Sequence, residues 1–527
     1  MLGRAVASDA LSEECLALPC AWLQDCLTNH PTCQTTLKKS LPTRVIAVGS
    51  VGMEPRLHIS NGEQEAYVAL SYCWCGETAL RTTKDTLAAK VLCIPFADMP
   101  LLFQDVLKVV RRLGISYLWI DSLCIIQDSP EDWKSEAATM QHVYSRATLT
   151  ISVHHCEFKE TEAIRNYISV ATGPSHGLSS DLRNKAPSIH VGSIEETDYF
   201  VRDFGLDFGV RGVVSHSHGD SIYTGFKSEL DTRGWCFQES ALSSRVLYYN
   251  SWEMSWECAT LFQCECTPTT VERNESGKTL LDTPYRMALA VRQHGSTMPT
   301  DEIWDLWRKF VREYTSRKLS FVTDRLIGIE GLARLVNDAV PTMTYMKGIW
   351  KEGPTLLGWQ NYESTGDPEG IERCACPSWS WGCMTGPTAF PKVGTKCASL
   401  EITRWVPEEG LIEVHGPMCE VVVIQKDNGY HVSSVNLPVN ELTRNWTTIQ
   451  FDVDKPPLDA NPGMHYLLRL WDNKNTGDRD SYTSYCVVLQ RSEARGDCYT
   501  RIGRYVLGQP ADLDMGKAFA DLNLNLI

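Results

Sequence analysis

The segment "YLWIDSLCIIQDSPEDWKSEAATM", Tyr117 to Met140, joins a nearly continuous apolar run to a charged stretch and carries two acids that could do chemistry. On a helical wheel at about 100° per residue, Trp133, Ala137, Met140, Val143, Tyr144 and Ala147 form one apolar stripe. Lys134, Ser135, Gln141, His142 and Arg146 lie off it, and Glu136 falls inside it. A carboxylate in that position must be paired, protonated or at the edge of a cleft, because an unpaired buried charge is very costly. Two readings follow: an ion pair with Arg233 or Arg112 that holds the helix on a sheet, or a carboxylate lining a nucleotide pocket. Asp121 ends the apolar run. It either caps the turn "DSLC" or meets a ligand where ligands bind in open α/β sheets, at the carboxyl end of a strand.

Other residues could share that crevice. Ser71, Tyr72 and Trp74 close the strand-like run "ALSYCW", and Trp133 opens the helix. Arg233, Trp235, Gln238 and Glu239 form a later block, which spacing alone does not bring to the crevice. For Arg233 the alternative to ligand contact is a buried pair with a carboxylate. Cys26, His30 and Cys33 offer three metal ligands on adjoining turns. A structural zinc takes four, and no nearby CxxC completes the set, so no metal site is expected. A nucleophilic Cys73 or Cys124 with His154 as base lacks both supporting spacing and a third orienting residue. Cys264 with Cys266, Cys374 with Cys376, and "HSHGD" from His216 to Asp220 are scattered pairs. No GxGxxG, Walker loop or HExxH is present, which removes the sequence basis for dehydrogenase, P-loop ATPase and zincin chemistry.

The elements that must position these groups are legible from periodicity. "RVIAVGS" and "AYVALSYCW" suit strands, and "TLAAKVL" suits a short helix. In "DMPLLFQDVLKVVRRLG" a stripe of Leu102, Phe103, Val106, Val109, Val110 and Leu113 predicts a helix, with Asp98 as cap and Gly114 as stop. "ISYLWID" reads as a strand covered on both faces. The following helix has Ser129 as cap, Pro130 after it and Asp132 closing a capping-box-like pattern, before the strand "TLTISV". Strands alternating with helices imply parallel neighbours joined by crossovers. Residues 1–66 read as an arm and linker, 67–249 as the α/β core with an irregular insertion at about 155–228, 250–370 as mainly helical, and 371–527 as a β-rich lobe. Trp379 and Trp381 alternate on one strand face as core of that lobe, with a sugar-stacking platform as the alternative.

Composition narrows the class. A 527-residue chain is too long for one ordinary core, and 43% hydrophobic with 22% charged residues describes a globular protein. A net charge of −15 disfavours nucleic-acid backbone or anionic membrane as partner. No run approaches the roughly 18 to 20 apolar residues of a membrane span. With twenty cysteines far below disulfide-scaffold density, a cytoplasmic location with most thiols reduced is expected.

The blocks "ALSYCW", "YLWIDSLCIIQD", "DW..E...M", "Y.RA.LTI" and "TRGW.FQE..LS.RVL" occur in the order of the fungal heterokaryon-incompatibility (HET) domain, which residues 67–249 resemble. "WL..C...H..C" near Trp22 and "PSWSW" at Pro377 resemble flanking elements of full-length family members. One departure is Cys75, which stands where the family pattern usually has glycine.

The resemblance implies an effector of fungal nonself recognition and programmed cell death. Through remote similarity to Toll/interleukin-1 receptor (TIR) domains, it implies an α/β, flavodoxin-like (TIR-like) parallel-sheet core beside the helical region and β-rich C-terminal lobe. Some TIR domains cleave NAD with a glutamate in the helix after a core strand, the position that Glu136 resembles. On that basis Glu136 is the catalytic candidate, with Ser71, Tyr72, Trp74, Asp121, Trp133 and Arg233 as ligand contacts. NAD would be substrate, and no cofactor is required. Homo-oligomers or other incompatibility proteins would be the partners. Non-enzymatic signalling by homotypic assembly and recruitment to small-molecule metabolism are the rival implications.

Overall fold

The computed structural model describes residues 2–3, 9–33, 38–74, 80–154, 188–194, 197–202, 230–249, 254–265, 283–361, 376–426, 429–433, 450–451, 465–474, 481–492, 495–510 and 519–527. Cys75, His216 to Asp220, Cys266, Cys374 and most of the expected insertion lie outside them. The chain divides into two compact units, Met1–Ala290 and Val291–Ile527.

The first unit is built on an eight-stranded mixed sheet. Its strands are β1 (Arg44–Ala47), β2 (Arg56–Ile59), β3 (Tyr67–Ser71), β4 (Tyr117–Trp119), β5 (Leu149–Val153), β6 (Arg245–Tyr249), β7 (Met254–Cys258) and β8 (Phe262–Cys264). They lie in the order β8-β7-β6-β5-β3-β4-β1-β2. The four central strands β4, β3, β5 and β6 are mutually parallel, as the strand–helix alternation predicts. The flanking strands are antiparallel. The sheet is therefore wider than the parallel core expected from 67–249. The supposed arm supplies β1 and β2, and the hairpin after residue 250 supplies β7 and β8. β6, β7 and β8 follow one another closely, as antiparallel neighbours can, whereas β1 and β2 pair with each other and join the sheet where β1 meets β4. Every residue of β3, β5 and β6 is buried, which fits strands covered on both faces.

Among the described residues six helices accompany this sheet: α1 (Glu13–Asn29), α2 (Lys84–Leu92), α3 (Leu101–Arg112), the single turn α4 (Asp121–Cys124), α5 (Pro130–Arg146) and α6 (Gly234–Leu242). The α3 stripe buries Leu102, Phe103, Val106, Val109 and Val110, and Gly114 stops the helix at φ +72°. Pro100, not Asp98, occupies the cap position; Asp98 ends a separate short turn. Ser129 caps α5 by accepting the Asp132 N–H. Asp132 does not close the box, because its carboxylate is committed to Arg44 and to the Ile126 N–H. Leu2–Gly3 joins Ser188–Ile194 and Thr197–Arg202 in a separate antiparallel sheet.

Helix α7 (Pro284–His294) runs across the division between units. The second unit contains α8 (Thr300–Thr315) and α9 (Ile327–Ala339). Its aromatic core holds Trp307, Trp350, Trp359, Trp379 and Trp381, each fully buried. Trp379 and Trp381 are core residues but not strand residues. They sit on a tight turn, and their Nε1–H groups donate to the Gly410 and Gly348 carbonyls at 3.0 and 2.7 Å. Gly348 tolerates this approach because it has no Cβ and holds φ at +101°. Leu411–Lys426, His465–Lys474, Ser481–Arg491, Cys498–Pro510 and Ala520–Leu526 pair in a closed ring, the first with the second and the last. The β-rich C-terminal part thus hides its main strand edges by closure.

Candidate functional site

Among the parallel strands the order is second-first-third-fourth in chain sequence, so the direction of winding reverses between β3 and β5. At such a switch point the connections leave the sheet on opposite sides and open a crevice at the carboxyl ends. Ser71 is the last residue of β3, with Tyr72 and Trp74 directly beyond it, and Asp121 follows β4. Because α6 leads back into β6, its Arg233 end stands at this same edge.

Contacts among these residues confirm their proximity. The Trp74 indole N–H donates to Asp121 Oδ2 at 2.6 Å, and the Ser122 N–H donates to Asp121 Oδ1 at 2.7 Å. Arg233 donates through Nη1 to the Tyr72 carbonyl at 3.1 Å. The Tyr144 hydroxyl, reaching across from α5, donates to the Leu70 carbonyl at 3.1 Å. Trp133 and Trp235 meet edge to face with ring centroids 6.4 Å apart. Trp74, Trp133, Arg233 and Trp235 all keep partial exposure, whereas Ser71, Tyr72 and Glu239 are buried. The edge therefore presents aromatic and cationic groups outward above a polar floor.

Two carboxyl groups occupy that floor. Burial raises the Asp121 carboxyl above its ordinary value, against the lowering by the Trp74 N–H and the Arg233 charge. Asp121 retains some residue exposure at the edge even though its carboxylate is enclosed. Glu239 is pushed up to about 7, first by burial and then by the charge of Asp121, while Ser71, Arg233 and Tyr144 oppose the rise. Two enclosed carboxyls raised by burial, with the charge of Asp121 lifting Glu239 further, are the kind of perturbed pair that acid–base chemistry uses. Among the described residues the buried hydroxyls of Ser71, Tyr72 and Ser122 close no hydrogen bond shorter than 3.5 Å, although Ser71 and Tyr72 lie near enough to Glu239 and Asp121 to lower those carboxyls. Such groups carry a desolvation cost that a polar ligand atom would relieve.

Glu136 lies elsewhere. It is 4% exposed, and its Oε1 accepts from Arg44 Nη2 at 3.3 Å. The same nitrogen meets both Asp132 oxygens at 2.8 and 2.6 Å, and Arg44 Nε donates to the Cys124 carbonyl at 2.6 Å. Burial still raises the Glu136 carboxyl above its ordinary value, against Thr43 and Arg44, which lower it. The cation expected to be Arg233 or Arg112 is thus Arg44, on β1. That arginine opens the strand expected from "RVIAVGS", which lies in residues 1–66, outside the α/β core expected from the sequence.

The remaining sequence candidates are dispersed. His154 Nδ1 faces Asp231 Oδ2 at 3.4 Å, and burial pushes the Cys124 thiol up, away from the thiolate a nucleophile needs. Cys73 packs with Leu230 and Cys236. Glu239 had been noted only within the Arg233 block. It stands between Gln238 and Ser240 in "GWCFQESAL", so no apolar stripe singles it out as one does Glu136. Among the described residues no helix is long and apolar enough to cross a membrane.

Residues 67–239 match the family model described as heterokaryon incompatibility protein (HET). No curated protein and no solved structure matches the chain.

Proposed function

The chain carries a HET domain over residues 67–239, a domain with a role in heterokaryon incompatibility, and from that premise we propose that it acts by hydrolysing NAD at the nicotinamide–ribose bond. The observation that carries this reading is the pairing of Glu239, near neutrality, with Asp121 at the switch point of the sheet. The second-first-third-fourth strand order is also that of flavodoxin-like sheets, which bind nucleotides at this place.

The chemistry assigns a role to each group. The C1′–N bond breaks with its electron pair passing to the pyridinium nitrogen, so nicotinamide leaves neutral and positive charge develops on the ribosyl C1′ and ring oxygen. The Asp121 carboxylate stabilises that charge, as carboxylates do for glycosyl centres. Water adds to C1′, and ionised Glu239 takes its proton. Arg233 pairs with the diphosphate, and Trp74 and Trp133 offer faces to the two rings. Glu136 is assigned to holding α5 on β1; stabilising the ribosyl centre, the part expected of Glu136, falls to Asp121, and Glu239 is the base.

The test is nicotinamide release from NAD by the purified full-length chain, followed chromatographically. Release is expected from the parent, reduced about 100-fold or more in Glu239→Gln, within the range that loss of a general base costs. Glu136→Gln, assayed below its melting temperature, should retain activity within about threefold, because its carboxylate lies outside the reacting pair. No release from the parent would contradict the proposal and favour signalling by homotypic assembly.

A further inference from the structure

The three ligands that lacked a fourth in the sequence acquire one in the fold. Cys26 lies in the last turn of α1, His30 caps that helix, and Cys33 ends the short turn Pro31–Cys33. Pro31 ends the helix and folds the chain back, with the Cys33 N–H donating to the His30 carbonyl at 2.9 Å. Cys258, the last residue of β7, arrives beside them at the start of the β7–β8 turn. All four residues are buried, and their ligand atoms lie within 4.8 Å of one another.

We infer that Cys26, His30, Cys33 and Cys258 form a structural zinc site that pins α1 to the β7–β8 hairpin. A tetrahedron with Zn–S bonds of about 2.3 Å has edges of roughly 3.8 Å, so a small inward adjustment of the four atoms completes it. Three thiolates and one imidazole are a closed structural set with no open position for chemistry.

The surroundings point to the same occupant. His30 turns Nδ1 toward Cys258 Sγ at 3.5 Å and Nε2 toward Asp25 Oδ2 at 3.3 Å. This is the carboxylate–histidine arrangement that orients a metal-bound imidazole. The Leu261 N–H points at Cys258 Sγ at 3.5 Å. Arg245 is 2% exposed, donates through Nε to Cys26 Sγ at 3.1 Å and through its Nη atoms to the Thr148 and Cys33 carbonyls, and meets no carboxylate within 4 Å among the described residues. A buried guanidinium without a carboxylate needs another counter-charge. A zinc bound by three thiolates and a neutral imidazole carries one net negative charge, which supplies it. No disulfide joins the three cysteines.

Elemental analysis of the full-length chain, purified in zinc-supplemented buffer and desalted, should find close to one zinc per chain. Cobalt(II) exchanged into the site should give ligand-field bands of tetrahedral geometry together with thiolate charge-transfer absorption. Cys258→Ser should lose most of the zinc and the tetrahedral thiolate spectrum, while Cys264→Ser, at a buried thiol outside the set, should keep both. A parent chain without zinc, iron in its place, a disulfide among Cys26, Cys33 and Cys258, or full zinc retention by Cys258→Ser would overturn the inference. Should Cys258→Ser fail to fold, the parent's cobalt spectrum decides alone: tetrahedral thiolate bands support the site, and octahedral bands without charge transfer refute it.

Discussion

Replacing Arg44 with alanine is expected to cost the N-terminal unit about 3–5 kcal/mol, the range found when one partner of a buried ion pair is removed. Arg44 is 7% exposed and serves Asp132, Glu136 and the Cys124 carbonyl at once. Its loss leaves two carboxylates near one another in a site with little water. Chemical denaturation of the full-length chain, read at the transition of the N-terminal unit, measures the cost. The deficit should shrink in acid as the raised Glu136 carboxyl takes up its proton. Arg44→Lys should fall between parent and alanine, since an ammonium keeps the charge but lacks the planar fork that reaches three acceptors. A cost below about 1 kcal/mol, typical of exposed pairs, would show that the cluster is not buried in solution.

Glu239→Gln is expected to stabilise the protein at alkaline pH. The Glu239 carboxyl has an ordinary value of 4.5 and is held at about 7 in the fold. Between those values the folded chain keeps a proton that the unfolded chain has released, so its contribution to stability is complete below 4.5 and is lost as pH rises through 7. At about 1.4 kcal/mol per pH unit the loss amounts to roughly 3.5 kcal/mol. Glutamine cannot ionise, so the variant should lack this slope and exceed the parent by the same order above pH 8, as measured by denaturation at several pH values. Identical pH dependence in parent and variant would place the Glu239 carboxyl in contact with solvent. A residue whose removal stabilises the fold while abolishing activity is retained for its chemistry.

The parallel core was legible because its strands are apolar throughout and its helices are periodic. "AYVALSYCW", "YLWID" and "TLTISV" each became a central strand, and Asp121 stands at a strand end as its position implied. Glu136 was legible as an anomaly within a stripe, and the structure gives it the cation such a position requires. Its partner was not legible, because ion pairing across a sheet edge depends on which strand lies beside β4. The antiparallel addition of β1 leaves no periodic mark in α5. The same reason hid Cys258: the spacing of Cys26, His30 and Cys33 is local, whereas the fourth ligand arrives only when β7 folds against the opposite edge. Glu239 was hidden differently. Its role rests on the charge of Asp121 and on burial from all sides, and neither is written into the nine residues of α6.

The central claim is that Glu239, poised by Asp121 at the switch point, is the reacting base. The pH dependence of single-turnover NAD cleavage by the parent tests it most directly. The rate is predicted to rise with pH through an inflection near 7, where Glu239 ionises, and the residual rate of Glu239→Gln should be flat across that range. The same inflection persisting in Glu239→Gln, or vanishing instead in Glu136→Gln, would contradict the account.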